Sequence, residues 1–167
     1  MEGLGLPSMG VQVEEYCQQY EVETVKMWHQ SFQRAMGLEE HNRFHELTDH
    51  LDYFRSMDPS QSKVAVEMSS AKIVGLLTMS DEELINLFVH VDFQRRGIGK
   101  LLLLEAKRQS PEGFFLYTCV KNSQAQTLYL TQGFSEVERS YASAVGNPWA
   151  TSKEQLADIK YQWSANG

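Results

Sequence analysis

The stretch DFQRRGIGK, residues 92–100, sets Gly97 and Gly99 among Arg95, Arg96 and Lys100, immediately before a run of leucines. A loop of this composition between a strand and a helix can bind an anion. Backbone N–H groups left unpaired at a helix start meet the positive end of the helix macrodipole there. The two glycines let the backbone approach a phosphate, and the basic side chains add charge. The other reading is a tight strand-to-helix turn whose basic residues are merely solvated. Two well-known phosphate loops do not fit. A Walker A loop needs Ser or Thr after its lysine, and a glycine where Gln94 stands; the residue after Lys100 is Leu101. A dinucleotide fingerprint needs a small residue where this chain has Leu102.

A second constellation lies in NSQAQTLYLTQGF, residues 122–134. Asn122, Ala125 and Tyr129 are spaced i, i+3, i+7 and share one face of a helix. A phenol so placed can serve as a proton donor, or it can pack in the core as its neighbour Leu128 does. Other candidates carry less. In HELTDH, residues 45–50, the second histidine comes five residues after the first, so the two rings diverge by about 140° and cannot form the zinc-protease pair. His41 and His45 have i, i+4 spacing but no third ligand, so no metal site is expected. Cys119 reads as a packed thiol on a buried strand. SDEEL, residues 80–84, is either a solvated turn or the home of a catalytic carboxylate, Glu82 or Glu83.

The elements that must position these residues follow from periodicity. VQVEEY at 11–16 reads as a strand. Val25, Trp28, Phe32 and Ala35 recur at helical spacing up to Gly37, and Phe44, Leu47, Leu51 and Phe54 make a second helix that stops near Pro59. Val64, Val66 and Met68 alternate, and KIVGLLTMS at 72–80 gives the other half of a hairpin joined through SSA. In LINLFVHV, residues 84–91, Ile85, Leu87, Val89 and Val91 share one face of a strand, and Asn86, Phe88 and His90 the other. A helix over 97–109 ends at Pro111, FFLYTCV at 114–120 is a buried strand, and a helix over 123–132 runs between Asn122 and Gly133. Strands around 134–143 and 159–164 follow. The order predicts an α/β fold with a mixed sheet in one domain, residues 1–167.

Composition narrows the function. The chain has a formal charge of −7, which argues against a general nucleic-acid binder and is compatible with a cationic substrate. No apolar run is long enough for a membrane span, and the first ten residues show no secretory signal. Two distant cysteines, Cys17 and Cys119, suit a reducing, cytoplasmic setting.

Gln94-x-x-Gly97-x-Gly99 after LFVHVDF resembles the acetyl-coenzyme A loop of the GNAT superfamily of N-acetyltransferases. NSQAQTLYLTQGF resembles that superfamily's second signature, Asn-x-x-Ala-x-x-x-Tyr followed by Gly-Phe. One helix and one strand separate the two motifs, as in the family, and the element order matches over nearly the whole chain.

The resemblance implies a mostly antiparallel mixed sheet whose fourth strand carries a bulge that splays it from the fifth, opening a gap for the pantetheine arm. It gives backbone contacts to Phe88 and Val89, and pyrophosphate binding to the amides of Gln94, Arg95, Arg96, Gly97, Ile98 and Gly99, with Lys100 among the cofactor-binding residues for its charge. Asn122 would bond the arm, Ala125 would leave room for it, and Tyr129 would protonate the departing thiolate. Val91 departs from the family, which often has proline there. The strand position where many members carry a glutamate holds Asn86, so a water on Asn86 with Glu83 as terminal acceptor is the expected proton route.

The implied activity is acetyl transfer from acetyl-CoA to a primary amine of a small molecule or a protein N-terminus, by direct attack. The acceptor would enter between helices 22–58 and the segment 143–158, with Trp28 and Phe32 either core residues or pocket walls. A non-catalytic acyl-CoA-binding regulatory module is the alternative, and a homodimer is left open.

Overall fold

The computed structural model describes residues 10–38, 47–147 and 149–167. His41, Phe44 and His45 lie outside the described residues. Seven strands form one sheet in the order β1-β2-β3-β4-β5-β7-β6: β1 Val11–Glu15, β2 Ser62–Glu67, β3 Lys72–Ser80, β4 Glu83–Val89, β5 Gly113–Cys119, β6 Ser135–Tyr141 and β7 Ala157–Ser164. Every neighbouring pair is antiparallel except β4 and β5. This is the mixed sheet that the element order predicts.

Helices cover the two faces. On one face α1, Glu21–Met36, and α2, Leu47–Ser56, bury Val25, Trp28 and Phe54 against Val64, Val66, Ile73 and Leu76 of the hairpin. Glu21 holds the pair of helices together by accepting two hydrogen bonds of 2.9 Å from Arg55. Gly37 ends α1 in the left-handed conformation, φ 67°, where a side chain would be strained. On the other face α3, Ile98–Gln109, and α4, Ser123–Thr131, enclose the larger core. Leu102 and Leu103 are fully removed from water there, each burial contributing roughly 1.5–3 kcal/mol. Gly75 on β3 is what lets α3 come so near, because a Cβ at that position would lie 2.9 Å from the Leu102 side chain.

The reading of residues 84–91 as one strand with strict alternation is corrected. The strand is Glu83–Val89, and Val91 belongs to a 3-10 turn, Val91–Phe93. Pairing with β3 passes from Met79↔Leu84 to Thr78↔Asn86, which leaves Ile85 as an extra residue. A bulge of this kind reverses the alternation. Leu84 and Leu87, three apart, therefore meet the same core, while Phe88 joins the core of α1 and α2.

Candidate active site

The central feature of the sheet is a missing partner. β4 and β5 pair over only two rungs, Glu83↔Phe115 and Leu84↔Leu116, and then part. A cleft of about 670 Å³ opens there, walled by the end of β4, the loop into α3, the first two turns of α4 and one side of α1. Eleven residues singled out from sequence line it: Phe88 and Val89 from β4, Gln94, Arg95, Gly97, Ile98, Gly99 and Lys100 from the loop, and Asn122, Ala125 and Tyr129 from α4.

The loop owes its shape to two kinds of constraint. Gly97 caps α3 at φ 86°, and Arg95 also takes a left-handed backbone at φ 61°. The first helical bond runs from Leu101 N–H to the Gly97 carbonyl at 3.0 Å, so the amides of Ile98, Gly99 and Lys100 precede the hydrogen-bonded helix. Gly99 has a different task. A Cβ there would meet the Leu128 side chain at 3.1 Å, so the missing side chain lets α3 close on α4. Arg96 is not among the cleft's walls, because its guanidinium lies over the Phe93 ring at 4.8 Å.

Strand alternation decides which backbone groups face the cleft. His90 donates its N–H to the Val74 carbonyl at 2.9 Å, and Phe88, two residues earlier and opposite Leu76, presents its backbone to β3 in the same way. Leu87 and Val89 consequently turn theirs toward the gap, whereas the Phe88 backbone faces β3. The Val89 carbonyl already accepts from Ser31 Oγ at 2.6 Å and Gln94 Nε2 at 3.1 Å. Val89 N–H and both Leu87 groups are the ones that point outward.

On α4, the Asn122 side-chain oxygen accepts from Ala125 N–H at 3.2 Å and caps the helix, leaving its amide nitrogen as the donor toward the cleft. Tyr129 is 5% exposed and rests against Phe134 and Tyr161 at ring distances of 5.5 and 5.8 Å. Burial, with a smaller contribution from Tyr161, raises its pKa, so the phenol keeps its proton at neutral pH. Packing residue and possible acid are thus the same side chain.

Asn86 and Glu83 do not line the cleft. Asn86 is buried and donates from its amide nitrogen to Thr78 Oγ1 at 3.1 Å; Thr78 in turn shares a 2.7 Å hydrogen bond with Ser62. Glu83 stands at the start of β4. Burial raises its pKa, against the lowering influence of Lys160. Nearby on the sheet, burial and then Asp158 push the Cys119 thiol up to about 12, which makes it a poor nucleophile. Above Cys119, Met36, Leu38 and Trp149 form a small apolar cluster that includes Phe32, so α1 and the segment after β6 meet on that side.

Sequence reasoning missed the contribution of α1. Ser31, Arg34 and Ala35 line the cleft, and Arg34 reaches the Val91 carbonyl at 3.4 Å. The available signal was Ser31 itself, a polar residue three positions after Trp28 on the apolar side of an amphipathic helix. Among the described residues no group of three or more His, Cys, Asp or Glu is placed to hold a metal ion, and no helix is long and apolar enough to cross a membrane.

A family profile described as "Acetyltransferase (GNAT) domain" matches residues 17–145. The chain belongs to the GNAT acetyltransferase family. Solved structures agree on this GNAT fold. The apo form of YjaB from Escherichia coli superimposes with a TM-score of 0.71 at 21% identity, covering 92% of this chain and 97% of that one. The PaiA N-acetyltransferase of Thermoplasma acidophilum, in complex with coenzyme A, gives 0.63 at 14% identity over 93% and 99%. The ribosomal-protein-S18-alanine N-acetyltransferase of E. coli gives 0.65 at 16% identity over 92% and 93%. No curated protein matches the sequence. The GNAT assignment fits the parting of β4 from β5, since that is where the chain builds its cleft.

Proposed function

We propose that this GNAT protein transfers the acetyl group of acetyl-CoA to a primary amine, with the co-substrate held in the cleft between β4 and β5. The observation that carries the reading is that one cleft gathers the unpaired end of β4, the glycine loop and the Asn122–Tyr129 face. The coenzyme A complex of the Thermoplasma neighbour supports coenzyme A as the ligand class.

In this reading the amides of Ile98, Gly99 and Lys100 take the pyrophosphate at the start of α3, with Arg95 and Lys100 adding charge. Leu87 and Val89 extend the sheet's hydrogen bonding to the pantetheine arm, and Asn122 donates to it. Val89 N–H or Leu87 N–H polarises the thioester carbonyl, which lowers the barrier to attack by the amine nitrogen. As the carbon–nitrogen bond forms and the carbon–sulfur bond breaks, Tyr129 gives its proton to the sulfur. The ammonium proton must also leave. Glu83 is the proposed acceptor, through a water held at Asn86, because it begins the strand that carries Asn86 and burial raises its pKa.

An amine panel tests the reading by measuring free thiol released from acetyl-CoA, with coenzyme A binding followed in parallel. Release with at least one amine is expected. Tight binding with no release across the panel would favour the non-catalytic module.

A further inference from the structure

We propose that His90 is the positioning residue of the cofactor loop: its neutral imidazole holds the turn that delivers residues 94–100, so that coenzyme A binding weakens when His90 takes up a proton. This rests on the reading of the cleft as a coenzyme A site. His90 is 8% exposed, directly follows β4 and donates its N–H to the Val74 carbonyl of β3. Its Nδ1 accepts the Asp92 N–H at 3.1 Å, and its carbonyl accepts the Phe93 N–H at 2.8 Å. One residue thereby makes both bonds that close the 3-10 turn Val91–Phe93. The turn matters because Phe93, edge-on to the His90 ring at 5.4 Å, carries Arg96 on its face, and Gln94 begins the loop.

Accepting at Nδ1 requires the lone pair to be there, so the ring's proton sits on Nε2. A second proton would convert Nδ1 from acceptor to donor and set it against the Asp92 N–H. The groups facing the ring pull in both directions. Lys72 on β3 opposes protonation, Asp92 in the turn and Glu23 on α1 favour it, and Arg34 and Arg96 are the turn's remaining cations. Glu23 is itself engaged, accepting the Ile73 N–H at 2.8 Å. Asp92 Oδ2 lies 4.0 Å from Nδ1, so an imidazolium would turn toward that carboxylate and away from the backbone. Burial and Lys72 prevail, and the His90 pKa lies below the usual histidine value. The neutral, loop-holding form is therefore the neutral-pH form, and the effect appears only as pH falls below the usual histidine range.

The test measures coenzyme A affinity at pH 7.5 and pH 5.5 for the wild type and His90→Asn. Asparagine can accept the i+2 N–H in an Asx turn and does not titrate. The ligand's phosphates titrate equally for both proteins, so the difference isolates residue 90. The wild type is expected to lose more affinity than His90→Asn over this range, by a factor that stays below roughly 10 because the His90 pKa lies under the usual histidine value. In wild-type protein, imidazole NMR should also show the His90 pKa falling further when coenzyme A saturates the site, as linkage requires. Parallel affinity losses in both proteins, or a His90 pKa unmoved by bound ligand, would overturn the role of His90 alone. Absence of coenzyme A binding at pH 7.5 would overturn the underlying site as well.

Discussion

The two ends of β4 are one strand with opposite circumstances. At Glu83 and Leu84 it is paired on both sides, to β3 and to β5. At Leu87–Val89 it keeps β3 and has lost β5. The paired end carries Glu83, and the bulge at Ile85 and the buried Asn86 lie where the pairing gives out; the unpaired end looks into the cleft. A backbone group without a partner inside a folded protein is costly unless something satisfies it, so a strand end that withholds its own partner is prepared for a ligand. The lesson of the contrast is that binding should depend on the unpaired end and its loop, while the paired end should influence proton transfer or stability alone.

The largest expected effect concerns Tyr129, which faces the gap. Tyr129→Phe keeps the packing against Phe134 and Tyr161 and removes the hydroxyl. Turnover should fall roughly 10²- to 10⁴-fold with coenzyme A affinity unchanged. Near-wild-type turnover would mean that another donor or water protonates the sulfur.

Gly97→Val comes next. It places a β-branched side chain at φ 86° and should abolish the stabilisation by coenzyme A, which for wild type at 100 times Kd amounts to about 2.7 kcal/mol. Gly99→Val should do the same by a different route, prising α4 from α3 through Leu128. A thermal shift retained in both variants would remove the loop from the site.

A smaller effect separates the loop's cations. Lys100→Ala should weaken coenzyme A binding roughly 3- to 10-fold, whereas Arg96→Ala should leave it within about twofold, because Arg96 is turned onto Phe93. Equal losses would show that Arg96 swings into the cleft on binding.

The smallest effect belongs to the paired end. The Glu83 pKa is raised in the folded protein, so its ionised form disfavours folding above that pKa, and the penalty is relieved as pH falls through it. Glu83→Gln should leave the melting temperature at pH 7 unchanged or slightly higher. If the water relay operates, the acid limb of kcat/KM should shift in Glu83→Gln and in Asn86→Ala for amines of different basicity. A limb that follows only the amine's own pKa, with both variants matching wild type, would eliminate the relay.

The parts of this molecule legible in the sequence are those written in local spacing. Gly37 and Asn122 act as the caps their positions suggest, and the Gln94–Gly99 and Asn122–Tyr129 patterns converge in space because one helix and one strand separate them. The bulge is implied by the resemblance to the family but is not written in the periodicity. Ile85 sits in an alternating run with no glycine or proline to mark a slip, and only the register against β3 reveals it. That Leu87 and not Phe88 turns its backbone toward the gap is a direct consequence of strand pairing, which sequence periodicity does not encode. The side chain of Arg96 reads as part of the anion site from its charge, and its preference for the face of Phe93 depends on a tertiary contact. Ser31 and Arg34 are nearly sixty residues from the Val89 and Val91 carbonyls they touch, so local spacing does not name those partners.

The most direct test of the central claim is an amide ¹H–¹⁵N titration of the wild-type protein with coenzyme A. The account predicts the largest shifts at Leu87, Val89, Gly97, Ile98, Gly99, Lys100 and Asn122, with Glu83, Leu84 and the β6 amides nearly still. Shifts concentrated on α2 or β6, with the loop and the unpaired end of β4 unmoved, would contradict it.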